Sequence, residues 1–508
     1  MTNTTFNATG TADNLAKHSG IRTILQWLAE PPAPHPADEL PSLRANLKAW
    51  RDVGGTPQQR ARALDGLYRR SCSVIDDLLP SLTDLTLPVP AKARRVVRSV
   101  LDLLQMLADE TLVLPNGVGV DRVDPIERMA TLDLAVWRSL NALARQLLIG
   151  HLIAAPARSG TWQQLHQTFA VARAQKLHTL VPEGASSSPQ HLYHAAVLLG
   201  CAQPASLTAR EVLFLAAYFE RFADEIEPIA AAAAVQPGTF WIDPQRDLPA
   251  ISCSRRLAPP TVALDGLSCA HLTALLKTQI SQLDDGTPAQ AIGLPDFAGT
   301  PAGLGVLRRL AGRWSDSGKR RFQRRRQNHR TILSSGIDGL WQLCQTGEAT
   351  DLELSTWMIT NESPDGYAVM HVSGKTGALS VGDIAAVRTG GEQNWQICLV
   401  RWAVSENPEH LELGLQILAP RAVPAILAQP SDALGTQHLR VLILPEIPLL
   451  RSSQLLVVAS GALPKQRQKL ILVIEKGNLV VREVKRTNID EQTGSVDILS
   501  IEPDENHF

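Results

Sequence analysis

Cysteine is scarce and scattered. The six residues Cys72, Cys201, Cys253, Cys269, Cys344 and Cys398 form no CxxC pair and no Cys/His spacing that would hold zinc. That excludes a disulfide framework and a structural zinc module. No uncharged apolar run reaches eighteen residues, so no membrane-spanning helix is predicted. The opening MTNTTFNATGTADNLAKHSG is polar and lacks the apolar core of a secretory signal, and a reducing, cytoplasmic setting is expected. Charge of one sign is also missing: the net charge is −1 over 508 residues, which excludes a polycation that coats nucleic acid. Neither GxSxG nor a Walker A loop occurs. The glycine pairs at 116–119 (NGVG) and 303–305 (GLG) follow no strand of a βαβ unit, so a Rossmann site is not supported. With no catalytic set visible, the chain reads as a non-enzyme without cofactor or metal.

What the chain does have is length and two contrasting hydrophobic periods. At 508 residues, two to four domains are expected. Residues 1–20 read as disordered, and 21–235 as a helical domain. VVRSVLDLLQMLADETLVL (96–114) and LDLAVWRSLNALARQLLIGHLIA (132–154) carry apolar stripes at i, i+3, i+4 and i+7. Further helices are predicted at 162–178, 186–200 and 206–234, the last opened by a Thr208/Glu211 capping box. WQQLHQTF (162–169) echoes a tetratricopeptide opening, but no second copy follows, and a plain bundle is favoured over a repeat array. Residues 236–318, rich in Pro, Gly and Asp, read as an extended connector with one or two helices, at 269–283 and 303–314.

After Arg330 the period shortens to two. Strands are predicted near 331–344, 352–360, 367–373, 381–388, 395–404 and 412–418, the pattern of a small antiparallel barrel over 319–425. The tail at 436–503 adds LRVLILP, LLVVAS, KLILVIEKG, NLVVREVKR and SVDILSIEP, with Gly477-Asn478 as a hairpin turn. The fold class is therefore multidomain α + β: a helical N-terminal region, an antiparallel β-barrel, and a further small β region.

Between the helical and β parts lies KRRFQRRRQNHR (319–330), with seven Lys/Arg in twelve positions and no carboxylate. Subtracting those seven charges leaves the rest of the chain at −8, so the run is a local anomaly. Six of the seven are arginine, whose planar fork suits phosphate oxygens and a guanine O6/N7 edge. Arg326 and Arg330 stand four apart, preceded by Arg325. Thirty-one residues past Arg330 comes NESPDG (361–366), in which Pro364-Asp365 suits the centre of a type I turn. Asn361 and Ser363 are then expected on a loop, with side chains turned outward.

RRRQNHR followed by NESPDG resembles the PilZ domain, whose pattern is RxxxR and then (D/N)xSxxG about thirty residues on. LSVGDIAAVR (379–388), WQICLVRWAV (395–404) and LELGLQIL (411–418) are similar to its later strands. The resemblance spans 320–420. It implies a six-stranded barrel binding cyclic di-GMP, a bacterial second messenger. It also implies ligand contacts from Arg325, Arg326 and Arg330 on one side and Asn361, Ser363 and Gly366 on the other. The expected role is a signalling receptor whose nucleotide binding is coupled to a protein partner through the helical region. Two alternatives are a degenerate PilZ scaffold that only docks proteins, and a nucleic-acid-binding module using 319–330. The lack of interleaved aromatics, Phe322 apart, argues against the latter. His191 and His194 lack a third ligand, and Arg401-Trp402 reads as packing on an alternating strand.

Overall fold

The computed structural model of the protein describes residues 20–113, 125–230, 236–259, 263–315, 322–347, 352–376, 379–389, 394–407, 410–431, 435–447, 451–463, 469–476 and 478–504. The expected disorder at the N-terminus falls on residues 1–19, and NGVG on 116–119; both lie outside the described residues. Gly20 already belongs to a helix, α1, at 20–29. Then follow α2 (Pro36–Asp52), α3 (Pro57–Thr83), α4 (Ala91–Val113), α5 (Pro125–Leu152), α6 (Thr161–Ala174), α7 (Pro189–Cys201) and α8 (Ala209–Phe222). Their starts are written locally. Thr56 and Gln59 form a capping box ahead of α3, Ser188 caps α7, and Thr208 with Glu211 caps α8.

The helix predicted over 206–234 stops early. Pro228 has no amide hydrogen to continue it, and a 3₁₀ turn at Ala223–Glu225 leads instead into strand β1 (Glu227–Ala230). With β2 (Thr239–Ile242), β3 (Ile251–Ser252) and β4 (Asp265–Ser268) it forms a four-stranded sheet in the order β1-β4-β2-β3. Helices α9 (Ala270–Asp284) and α10 (Pro301–Ser315) follow. The stretch expected to be a connector is therefore built structure. Phe240, Ile242, Leu267, Leu272, Leu276, Leu307 and Trp314 share one continuous core with Leu104, Leu140 and Leu215 of the helices before it.

His191 of α7 sits 2.9 Å from the Asp224 carboxylate. Among the described residues, no group of three His, Cys, Asp or Glu side chains converges on a metal position. His194 is 4% exposed, and its Nδ1 has no hydrogen-bond partner among them. Burial pushes its pKa down to about 4. The folded state thus prefers the neutral imidazole, and its stability is fully present above the unfolded pKa of about 6.5. It declines as the pH falls from there towards 4, by about 2 kcal/mol at pH 5. Urea midpoints at pH 7 and pH 5 should differ accordingly, and His194→Leu should shrink the difference, leaving the share of buried His151, whose pKa is also pushed down to about 4.

Two closed barrels complete the chain. The first comprises β5 (Arg325–Ser335), β6 (Ser355–Ser363), β7 (Gly366–Ser373), β8 (Ile384–Thr389), β9 (Gln396–Asn407) and β10 (His410–Ala419), closing in the order β10-β7-β6-β5-β8-β9. Trp357, Ile359, Val369, Val400 and Leu413 fill it. The strand predicted over 331–344 ends at Ser335. Gly336, at φ +89°, redirects the chain into α11 (Ile337–Thr346). The second barrel comprises β11 (Val423–Ser431), β12 (Gly435–Leu444), β13 (Gln454–Ala459), β14 (Lys469–Lys476), β15 (Asn478–Gln492) and β16 (Val496–Pro503), in the order β11-β12-β13-β16-β15-β14. The β14–β15 pairing runs out to Lys476 opposite Asn478; Gly477 lies outside the described residues. Strand β11 was not anticipated, because Pro424 and Pro430 disguise it.

The barrels share a core of their own. Leu340 and Leu343 of α11 and Ile384, Ile397 and Leu399 of the first barrel pack on Leu442, Leu455, Val457 and Ile498 of the second. The helical body touches the first barrel where the Ser405 amide donates to the Ala154 carbonyl (2.8 Å) and the Thr376 hydroxyl to the Leu87 carbonyl (2.8 Å). Arg309 of α10 ties the helical body to the second barrel. It pairs with Glu211 and donates to the Gln492 carbonyl (2.8 Å).

Candidate functional site

The basic run does not stop short of the barrel; it enters it. Arg325 opens β5, and residues 319–321 lie outside the described residues. Across the ladder Arg326 stands directly opposite Asn361, so the two halves of the sequence pattern meet on one rung. Directly opposed residues of an antiparallel pair share a face, with Cβ atoms about 5 Å apart. Leu333 points into the barrel core, so alternation along β5 places Arg330 and Arg326 on the outer surface; Val369 also points inward, so Ala368 beside it and Asn361 opposite Ala368, past the β6 irregularity, face outward too.

Spacing along β5 would ordinarily separate residues four apart by about 13 Å. Two stacked irregularities shorten this. The β5–β6 register shifts between Arg326 and His329, and the β6–β7 register shifts between Ile359 and Asn361. On the regular strand β7, the Arg326 rung therefore falls at Ala368 and the Arg330 rung, through Met358, at Met370. That is two residues, or about 7 Å. Bulges of this kind re-aim side chains beside binding sites. Gln327, in the bulge, donates to Glu362 Oε2 (2.9 Å) and fastens it. No sequence signal marked this contact.

The guanidinium groups of Arg324, Arg325, Arg326 and Arg330 are exposed, and none makes an ion pair or side-chain hydrogen bond with a described residue. Elsewhere, arginines such as Arg70, Arg138 and Arg145 are paired with carboxylates. Arg325 departs from the expected set: it stands opposite Glu362, which pairs onward with the core residue Tyr367, on the opposite alternation from Arg326.

Ser363 and Asn361 lie on strand β6 rather than on a loop, and Ser363 is buried. Its hydroxyl lies 2.6 Å from Asp365 Oδ1 and 3.2 Å from the Gly366 carbonyl, so it donates into the Pro364-Asp365 turn instead of outward. Gly366 is fixed by packing: a Cβ there would stand 2.0 Å from the Leu415 carbonyl oxygen of β10. Both residues shape the hairpin that carries Asn361. Ser363→Ala should lower barrel stability by about 1 kcal/mol, read as a shift in the calorimetric transition. Arg401, taken as packing, pairs with Glu491 of the second barrel (3.0 Å).

A helical body leading into a six-stranded barrel, with an arginine strand and an Asn/Ser hairpin side by side on its wall, defines a multidomain protein of the PilZ type. Comparison with known proteins agrees. Residues 342–424 match the family described as the middle PilZ domain of the cyclic-di-GMP receptor FimW, and residues 22–231 match its N-terminal domain. The first barrel is a PilZ domain. It sits in the middle of the domain order, with a second barrel after it, and the helical region before it has a counterpart in a known family. Among curated proteins the chain is 22% identical over 401 residues to the cyclic-di-GMP receptor FimW of Pseudomonas aeruginosa, covering 63% of this chain and 65% of that relative. The PilZ match begins within α11, past the arginine strand. No helix among the described residues is long and apolar enough to cross a membrane.

Proposed function

We propose that this protein is a cyclic di-GMP receptor without catalysis of its own, acting in the cytoplasm and engaging a protein partner through its helical region. The observation that carries the proposal is the shared rung of Arg326 and Asn361. It sits one bulge away from Arg330, on a PilZ barrel where neither Arg326 nor Arg330 makes an ion pair or side-chain hydrogen bond with a described residue. Cyclic di-GMP is a small dianion with two guanine edges. Arginine forks take phosphate oxygens or O6/N7 bidentately, and Asn361 supplies a donor and an acceptor within reach of the same ligand. Two relatives' descriptions, that of the matched families and that of the Pseudomonas protein, name the same ligand.

Calorimetric titration of the whole chain with cyclic di-GMP tests this: saturable binding at one barrel face is expected, and a flat titration at millimolar ligand sinks it. A second function, protein docking by a barrel that has lost its ligand, is favoured by one observation. The family match leaves strand β5, and with it the arginine pair, outside its bounds. The same titration separates the two.

A further inference from the structure

Four helices of the N-terminal body frame a hollow between them. Where α5, α7 and α8 face one another they carry Ala144, Ala195 and Ala216, and α3 closes the fourth side with Ile75 and Leu79. Small side chains at a helix contact ordinarily let the helices approach closely. Here a cavity of about 360 Å³ remains instead. Its floor belongs to the bundle core through Ile75, Ile149 and Leu199, and Trp137 forms part of the wall. The solvent side is polar. Arg145 of α5 is paired with Asp76 of α3 (2.6 Å), and His191 of α7 with Asp224 (2.9 Å). Glu220 of α8 lines the same rim. It is exposed, and its carboxylate makes no ion pair or hydrogen bond with a described residue. Both basic groups of the rim thus have a carboxylate, and one carboxylate is left over.

We propose that this cavity is a second ligand site, for a small apolar molecule carrying an ammonium group. The site goes beyond the nucleotide face of the first barrel, since every residue lining it lies in the helical body. The volume falls in the range of small-molecule pockets, which form between the helices of bundles and combine an apolar lining with a few polar groups. The alanine and leucine side chains take the apolar body, and its removal from water supplies the driving force. An indole wall accepts a ring or a cation. Glu220 sets the sign of the head group, because a carboxylate without a counter-ion attracts an ammonium and repels another carboxylate. An anionic ligand would instead have to displace Asp76 from Arg145 or Asp224 from His191.

The test titrates phenylbutylamine, phenylbutanol and phenylbutyrate, one apolar body with three head groups, into the full-length chain by calorimetry. Saturable binding of the amine is expected, tighter than that of the alcohol by up to about fivefold, as one exposed ion pair allows, with the acid weakest. Glu220→Gln should bring the amine down to the alcohol and leave the alcohol unchanged. Ala195→Phe and Ala216→Phe, on different helices, each fill the cavity and should abolish binding of all three probes. Ligand-free melting curves show which variants are folded. Glu220→Gln alters an exposed side chain, so the head-group comparison stands even where a phenylalanine variant does not fold. No saturable binding at millimolar amine overturns the site. An amine preference that survives Glu220→Gln, or binding that survives both folded phenylalanine variants, overturns it equally.

Discussion

Replacing Arg326 and Arg330 together by alanine is expected to abolish cyclic di-GMP binding while leaving the fold intact. Each guanidinium that meets a phosphate or a guanine edge contributes about 1.5–3 kcal/mol, because the hydrogen bonds are charge-assisted and bidentate. Losing two lowers affinity by about two to four orders of magnitude. Neither arginine makes an ion pair or side-chain hydrogen bond with a described residue, and both are exposed, so nothing in the folded protein depends on them. The melting temperature of the double variant should therefore match that of the wild type. Equal affinity in the two proteins would remove this face as the site. An equally steep loss of wild-type binding with rising salt for the dinucleotide and for unrelated oligonucleotides would point to nonspecific backbone binding instead.

Arg309→Ala is expected to cost stability on a scale that surface ion pairs never reach. Arg309 is 17% exposed and its partner Glu211 only 3%, with Glu491 a second carboxylate at 3.5 Å. Deleting the cation leaves Glu211 a buried charge whose remaining hydrogen-bond donor among the described residues is the Thr208 amide at 2.9 Å. Breaking a buried pair from one side costs about 3–5 kcal/mol, since the remaining ion keeps its desolvation penalty. Arg210 and Asp84, each 69% exposed, supply the comparison: Arg210→Ala should change stability by less than about 1 kcal/mol. Calorimetry on both variants decides it, and equal shifts would contradict the burial argument. The contact also matters to communication through the molecule. Glu211 opens α8, Glu491 lies on β15, and Glu491 pairs in turn with Arg401 on β9 of the PilZ barrel. One buried cation thus links the helical body to both barrels.

Much of this protein could be read from local pattern alone. The capping boxes at Thr56 and Thr208, the i, i+3, i+4 stripes of α4 and α5, and the alternation of β6 to β10 are all properties of neighbouring residues, and each element formed where its period demanded. RxxxR and NESPDG, thirty-one residues apart in the sequence, fell on adjacent strands of one barrel, with Arg326 opposite Asn361. Misreadings arose where two local signals conflicted. Ile337, Leu340, Trp341 and Cys344 carry a helical period, but the apolar run beginning at Leu333 masked it until Gly336 turned the chain. Pro424 and Pro430 likewise hid a strand that β12 pairs along its whole length.

The amino-acid sequence determined which side chains could hold an anion, where the helices begin, and that a β-rich half follows a helical one. Only the tertiary structure decided which of those side chains share a surface. Ser363 turned inward to its own hairpin, Arg325 took the other alternation, and Trp402 joined the outer row of Asn361 from forty-one positions away, with Ala368 and Gly414 between them. The reason is geometric: strand register and bulges set the neighbours across a sheet, and both depend on how distant strands close a barrel.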